Sequence, residues 1–363
     1  MSSVDAKSLW EQLTQAGLVH GEAPGEATTI TPWYVRTMLG IGGWIGAMFL
    51  LGFVGAGFAF VMKSAASALF VGALLCAAAT VMFRVRPSGD FAGQFALAVS
   101  MAGQVLIGVG LAQLLPSRIA VIALLMALLQ VGLFLLVPNF LHRVLSAISG
   151  TAALVMALGN WGLHPYTQAI VFAAFGWVWL NEFSYPGRST QMRAIGYGVV
   201  LLLIVDLVME SVAGMGRSLW LDRAGEPLLG GALAPWIGAA LIGATIVWVV
   251  WNLLIRERLA LTKEPGLAAI GGAVLVALVS IKAPGIGVTL VILLIGYANG
   301  NRVLAGLGIF SLLAYLSHYY YTLQITLLEK SALLVCTGIV LIAARLAVKS
   351  RWPIEERTGA PHA

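Results

Sequence analysis

The chain has 363 residues, 60% of them hydrophobic and only 10% charged, where an ordinary soluble domain carries about 25% charge. Together with a mean hydropathy of +0.94 this excludes a water-soluble fold. The net charge of +6 therefore reads as positive loop ends beside a bilayer, and no nucleic-acid partner is expected.

Taken in chain order, residues 1–32 hold no apolar core behind a basic start, so no cleavable leader is expected and the first span should act as its own insertion signal. Leu9, Trp10, Leu13 and Ala16 recur at helical spacing within 4–16 and Gly17 supplies a stop, which predicts a short amphipathic helix. It serves either as a folded-back cap or as a partner-docking helix. A Gly-, Pro- and Glu-containing linker follows over 20–32. Residues 33–350 form the expected transmembrane bundle and 351–363 a cytoplasmic tail.

Apolar runs long enough for about 30 Å of hydrocarbon fall at 37–62, 64–83, 91–115, 117–137, 143–160, 166–183, 193–213, 232–255, 266–281, 285–300, 302–317 and 327–348. Their length and continuity demand helices, because backbone polar groups cannot go unpaired in lipid. The expected fold is thus all-α, a polytopic membrane protein of about 12 transmembrane helices. With the N-terminus inside, 15 of the 21 Lys and Arg lie on the inner side, so both termini are predicted to be cytoplasmic. Around Lys282-Ala283-Pro284-Gly285 the chain could instead form one broken helix. That version buries Lys282 at a cost of about 2.5–3.5 kcal/mol and weakens the charge bias, which favours two short spans.

Several polar groups stand out. Asp206 and Glu210 are four residues apart in the seventh run, hence on one helix face about 6 Å apart. Like charges at that distance repel by about 2.8 kcal/mol at an effective dielectric of 20. One of the pair is then expected to hold a proton, the property a relay or cation site needs. The alternative has Glu210 facing outer water and Asp206 satisfied by a neighbouring helix. Lys282 either joins that pair beside its Pro-Gly break or snorkels to the interface.

Tyr315, His318, Tyr319, Tyr320 and Tyr321 crowd one span end, with Thr326 and Glu329 at capping-box spacing beyond. They read as an aromatic belt, or as an outward-facing pocket of His318, Tyr319, Tyr320, Tyr321 and Glu329 able to sense external pH. Gln94, Gln104, Gln113, Gln130, Asn160, Asn181, Asn252 and Asn299 are scattered and form no single stripe; interhelical hydrogen bonds are their expected role. Glycines spaced for close helix contact occur at Gly42 and Gly46, and at Gly296 and Gly300. Neither cysteine, Cys76 or Cys336, has a CxxC partner or a nearby His. No metal set, phosphate loop or hydrolase motif is legible, so no catalytic residue, cofactor or metal is expected.

Leu9-Trp10, Pro32-Trp33-Tyr34-Val35-Arg36, Gly89-Asp90-Phe91-Ala92-Gly93-Gln94-Phe95 and the stretch from His318 to Ser331 make the chain resemble a bacterial membrane family, domain of unknown function 4401. The resemblance implies a multi-pass protein of the bacterial inner membrane and carries no catalytic residues. It also implies a membrane-protein partner, of the family named for a GDYxxLxY motif. Three readings follow: a transporter or ion-coupled permease with an intramembrane acid pair, alone or as a homo-oligomer; a non-catalytic subunit of a membrane complex; and an enzyme on lipid-linked substrates. The absence of any catalytic motif weighs against the last.

Overall fold

The computed structural model describes residues 63–85, 90–213, 228–258, 264–281 and 283–322, with isolated positions between 10 and 61 and between 328 and 350. All regular structure among them is helical. The helices are α1 (Ala65–Arg84), α2 (Asp90–Leu114), α3 (Ile119–Leu136), α4 (Phe140–Leu158), α5 (His164–Leu180), α6 (Ser189–Ala213), α7 (Ala234–Arg256), α8 (Glu264–Ser280), α9 (Pro284–Ala298) and α10 (Arg302–Thr322). Each predicted run from 64–83 to 302–317 falls on one of them. The runs at 37–62 and 327–348 and both termini lie outside the described residues, isolated positions apart. Within 4–16, Trp10 and residues 12–15 are helical and Gly17 turns the chain at φ 69°.

Seven stretches of the described residues are long and apolar enough to cross a membrane, one of them running through α4 and α5 together. This is the build of a multi-pass membrane-embedded protein. The 41-residue stretch Phe140–Leu180 is not one straight rod. A wide turn over Gly159–Leu163 contains Gly162 at φ 80°, a conformation that a Cβ would strain, and Pro165 then opens α5.

The structure divides into two compact units, residues 1–118 with 135–142, and residues 119–134 with 143–363. In the first, α1 and α2 lie backbone to backbone. A Cβ on Gly72 would stand 2.7 Å from the Gly103 carbonyl oxygen, and one on Gly103 would stand 2.7 Å from that of Gly72. Small residues permit this approach, and in lipid such close packing replaces the hydrophobic drive that water would supply.

In the second unit, Phe172, Phe175 and Trp179 of α5, Val200 and Leu203 of α6, Ile246 and Val249 of α7, Ile292 and Ile295 of α9 and Leu304 of α10 share one core, each at most 2% exposed. Helices α8 and α9 are separate, as the two-span reading expects: Ala283 (φ −139°, ψ 72°) breaks the helical path and Pro284 starts α9. The chain reverses sharply there, since a Cβ on Gly287 would collide with the Ser280 hydroxyl at the end of α8. With 17 and 15 residues, the two helices are about 25 and 23 Å long, short of the ~30 Å of hydrocarbon.

Candidate functional site

Two groups of polar residues of the second unit lie at the two ends of the seam between α6 and α10. On α10, Asn301, Leu304, Gly308, Ser311, Tyr315 and His318 succeed one another by three or four residues, which aligns them on one face. On α6, Tyr197, Val200, Ile204 and Leu207 follow the same spacing. Three layers result.

At the end where α6 begins, Glu182 follows the last turn of α5 and is 2% exposed. Arg193 donates from Nε to its Oε1, an ion pair in which the Arg193 side chain is 52% exposed. Asn299, just past α9, donates to the Trp179 carbonyl at 3.0 Å and to Glu182 Oε2 at 3.5 Å. Its own Oδ1 accepts from Arg256 of α7 at 3.2 Å. Two residues on, Asn301 caps α10 by accepting the amides of Val303 and Leu304, both at 3.1 Å, while its Nδ2 donates to the Tyr197 hydroxyl at 2.9 Å. Trp179 packs edge-on against Tyr197 with ring centroids 5.2 Å apart. One connected set of bonds thus ties α5, α6, α7 and the α9–α10 turn together.

The middle layer is apolar. Val200, Leu203, Ile292, Ile295 and Leu304, each at most 2% exposed, build it. Beyond it lies a cavity of about 140 Å³ lined by Ile204, Leu207 and Val208 of α6 and by Ser311, Ala314, Tyr315 and His318 of α10. The Tyr315 ring sits so close over Gly285 that any Cβ there would collide with it. Tyr315 is 13 residues into α10, or about 20 Å along its axis. The short α8–α9 hairpin therefore ends at the level of the cavity and goes no further. Ser311 donates its hydroxyl hydrogen to the Gly308 carbonyl at 3.1 Å, leaving its oxygen to accept. A larger open hollow of about 620 Å³ between α7 and α8 is lined only by apolar residues, Trp248 and Trp251 among them, and offers no group for chemistry.

The sequence-predicted residues divide. His318 is half-buried in the cavity. Tyr319 is also half-buried and stacks on Tyr315 at 6.3 Å, and Tyr320 is half-buried on the same helix. The helix runs through the tyrosine cluster to Thr322, five residues beyond the predicted end. Asp206 is exposed on α6, beside exposed Val205 and Met209. Helical geometry turns it away from Ile204, Leu207 and Val208, hence away from the cavity. Glu210 lies on the same helix one turn later. Lys282 and Glu329 lie outside the described residues, as do the side chains of Glu210 and Tyr321. The glycine spacing at Gly296 proves structural, with α10 backbone at Ala305 2.5 Å from where its Cβ would stand.

Two polar groupings escaped the sequence reading. One is Glu182 with its ion pair, an acid inside a predicted apolar run and eleven residues from its partner. The other is in the first unit, where Ser100 and His142 lie 2.8 Å apart between Oγ and Nε2, and Gln104 donates to Ser100 at 3.1 Å. Phe83 meets the imidazole edge-on at 5.5 Å, and the Asn139 side chain accepts the His142 amide at 3.0 Å. Ser100, Gln104 and His142 are each at most 5% exposed, a closed knot rather than a lined space. Asn139 before Phe140 is the cap signal that reveals where α4 begins. Among the described residues no group of three or more His, Cys, Asp or Glu could hold a metal ion.

No curated protein and no solved structure matches this chain. The model of the family described as Domain of unknown function (DUF4401) matches residues 32–351, all but the two ends, and the chain belongs to that family.

Proposed function

We propose that this protein is a permease for a small solute in the bacterial inner membrane, with about twelve spans and both termini in the cytoplasm. The observation that carries the reading is the cavity on the α6–α10 seam, beside the short α8–α9 hairpin and backed by an apolar layer. Short, interrupted helix pairs are where transporters commonly build their sites, because unsatisfied helix ends and side chains meet there away from lipid. Under the positive-inside orientation the cavity lies toward the outer side and the Glu182 end toward the cytoplasm. Asp206 and Glu210 are the proposed ion-coupling pair, reached from the side of α6 opposite the cavity. His318, with Tyr315 and the neighbouring Tyr319, forms the proposed solute-facing surface.

The test is flux into liposomes with methylammonium, acetate and glycerol as probes and an enclosed pH dye. At least one probe is expected to cross ten times faster than into protein-free vesicles. Asp206→Asn is expected to abolish accompanying proton movement without altering incorporation. Rates equal to empty vesicles for all three probes overturn the permease reading, and unchanged proton movement in Asp206→Asn removes the acid pair from it.

A second reading, a non-catalytic subunit of a membrane complex, is favoured by the open apolar hollow between α7 and α8. Purification in mild detergent separates the two. A stoichiometric partner, such as a GDYxxLxY-family protein, supports the subunit; the chain alone or as a homo-oligomer supports the permease.

A further inference from the structure

We propose that Glu182, Arg193, Asn299 and Arg256 form a latch that closes the seam at the end opposite the cavity, and that the Glu182–Arg193 ion pair holds it shut. The inference rests on the permease reading for its purpose. Its geometry stands independently.

A carboxylate 2% exposed within an apolar bundle is costly unless it is bonded on several sides. Here Oε1 is taken by Arg193 of α6, and Oε2 faces Asn299 of the α9–α10 turn. Asn299 is the junction. It touches α5 through the Trp179 carbonyl, α7 through Arg256, and Glu182 itself. Asn301, two residues on, carries the same connection to Tyr197 of α6 and sets the first turn of α10. The turn that must move for α10 to leave α6 is therefore the one these bonds hold.

The bonds are also of a kind that can break and re-form. The Arg193 side chain is 52% exposed, so the guanidinium is met by water when it leaves Glu182, and the cost of separation falls on the carboxylate until opening at this end hydrates it as well. Behind the latch, Leu304 and Val200 are fully buried and form the apolar layer. Just inside the latch, the hydrogen bonds between Asn301 and the Tyr197 hydroxyl join the cap of α10 to α6 across the same seam. Opening at this end requires separation of the latch, of the Asn301–Tyr197 bonds and of the apolar layer.

The experiment measures access to the apolar layer. Leu304→Cys is made in the full chain with Cys76→Ala and Cys336→Ala, reconstituted in nanodiscs, and treated with a charged, water-soluble maleimide. Slow labelling is expected with the latch intact. Adding Glu182→Gln is expected to raise the rate at least tenfold while the protein stays monodisperse, and an unchanged rate overturns the latch. If Glu182→Gln does not remain monodisperse, Arg193→Gln against Arg193→Lys leaves the carboxylate in place. The Gln variant should label fast and the charge-keeping Lys variant slowly, whereas equal rates overturn the proposal. Labelling requires no transported solute. A chain that carries none of the flux probes yet shows the tenfold change keeps the latch and loses the permease reading; a flux-active chain with unchanged labelling loses the latch alone.

Discussion

The two ends of the α6–α10 seam both carry polar side chains and differ in what those side chains touch. At the Glu182 end Glu182, Arg193, Asn299 and Asn301 are each bonded to a neighbouring helix or turn, so the end is dense and tied. At the His318 end the polar groups stand around a space of about 140 Å³ with aliphatic walls. The difference teaches that polarity within a bundle has two uses. Where partners are within hydrogen-bond reach it fastens helices, and where the facing helix stops short it leaves a lined hollow. The α8–α9 hairpin decides which, because it ends at the level of Tyr315.

Substitutions at the two ends should separate these uses. The largest effect on stability is expected from Arg193→Ala, about 2–3 kcal/mol, since it leaves the Glu182 carboxylate buried without its charge partner; the usual 3–5 kcal/mol for such a break is discounted because Arg193 is half exposed. Glu182→Gln should cost only about 1 kcal/mol, because the released Arg193 turns to water. Thermal unfolding of the purified variants measures both, and equal costs would show that the carboxylate is not held as the distances imply.

Next comes Gly285→Val, which drives a side chain into the Tyr315 ring. It should cost about 1–3 kcal/mol and close the cavity from the hairpin side, read as a lower melting temperature together with lost flux. Smallest in stability is Ser311→Ala, at about 0.5 kcal/mol, since its hydrogen bond is to its own helix. Its flux should nevertheless fall several-fold, because an acceptor on the cavity wall is gone. A variant with altered melting but full flux would mean that the His318 end is packing and not a site.

Much of the frame was legible in advance because membrane helices obey a length rule that water-soluble helices do not. Ten predicted runs coincide with ten helices, and the reversal at Ala283-Pro284 follows from Pro at the first position of α9. The site was legible only in part. His318 is legible as one of few titratable groups in an apolar chain, and Tyr315 with it, but Ser311 and the aliphatic wall of α6 that line its cavity are not; Glu329 lies outside the described residues. Asp206 and Glu210 drew attention because adjacent turns share a face, yet spacing along one helix says nothing about which way that face is turned. Glu182 drew none, because its partner lies in the next helix and its junction residue, Asn299, lies more than a hundred positions away.

From residue order alone came the membrane as solvent, the helical spans, their breaks at Gly and Pro, and membership of a multi-pass family. These are properties of local segments against lipid, set by composition and period. Only the tertiary structure decided that the α8–α9 turn meets α10 at Tyr315, that α6 presents Leu207 and not Asp206 to α10, and that Glu182 and Asn299 together tie four elements at one end of the seam. Each of those depends on the rotation and depth of helices relative to one another. In lipid, close contact of small residues and a few interhelical hydrogen bonds set both, and neither is encoded within any one span.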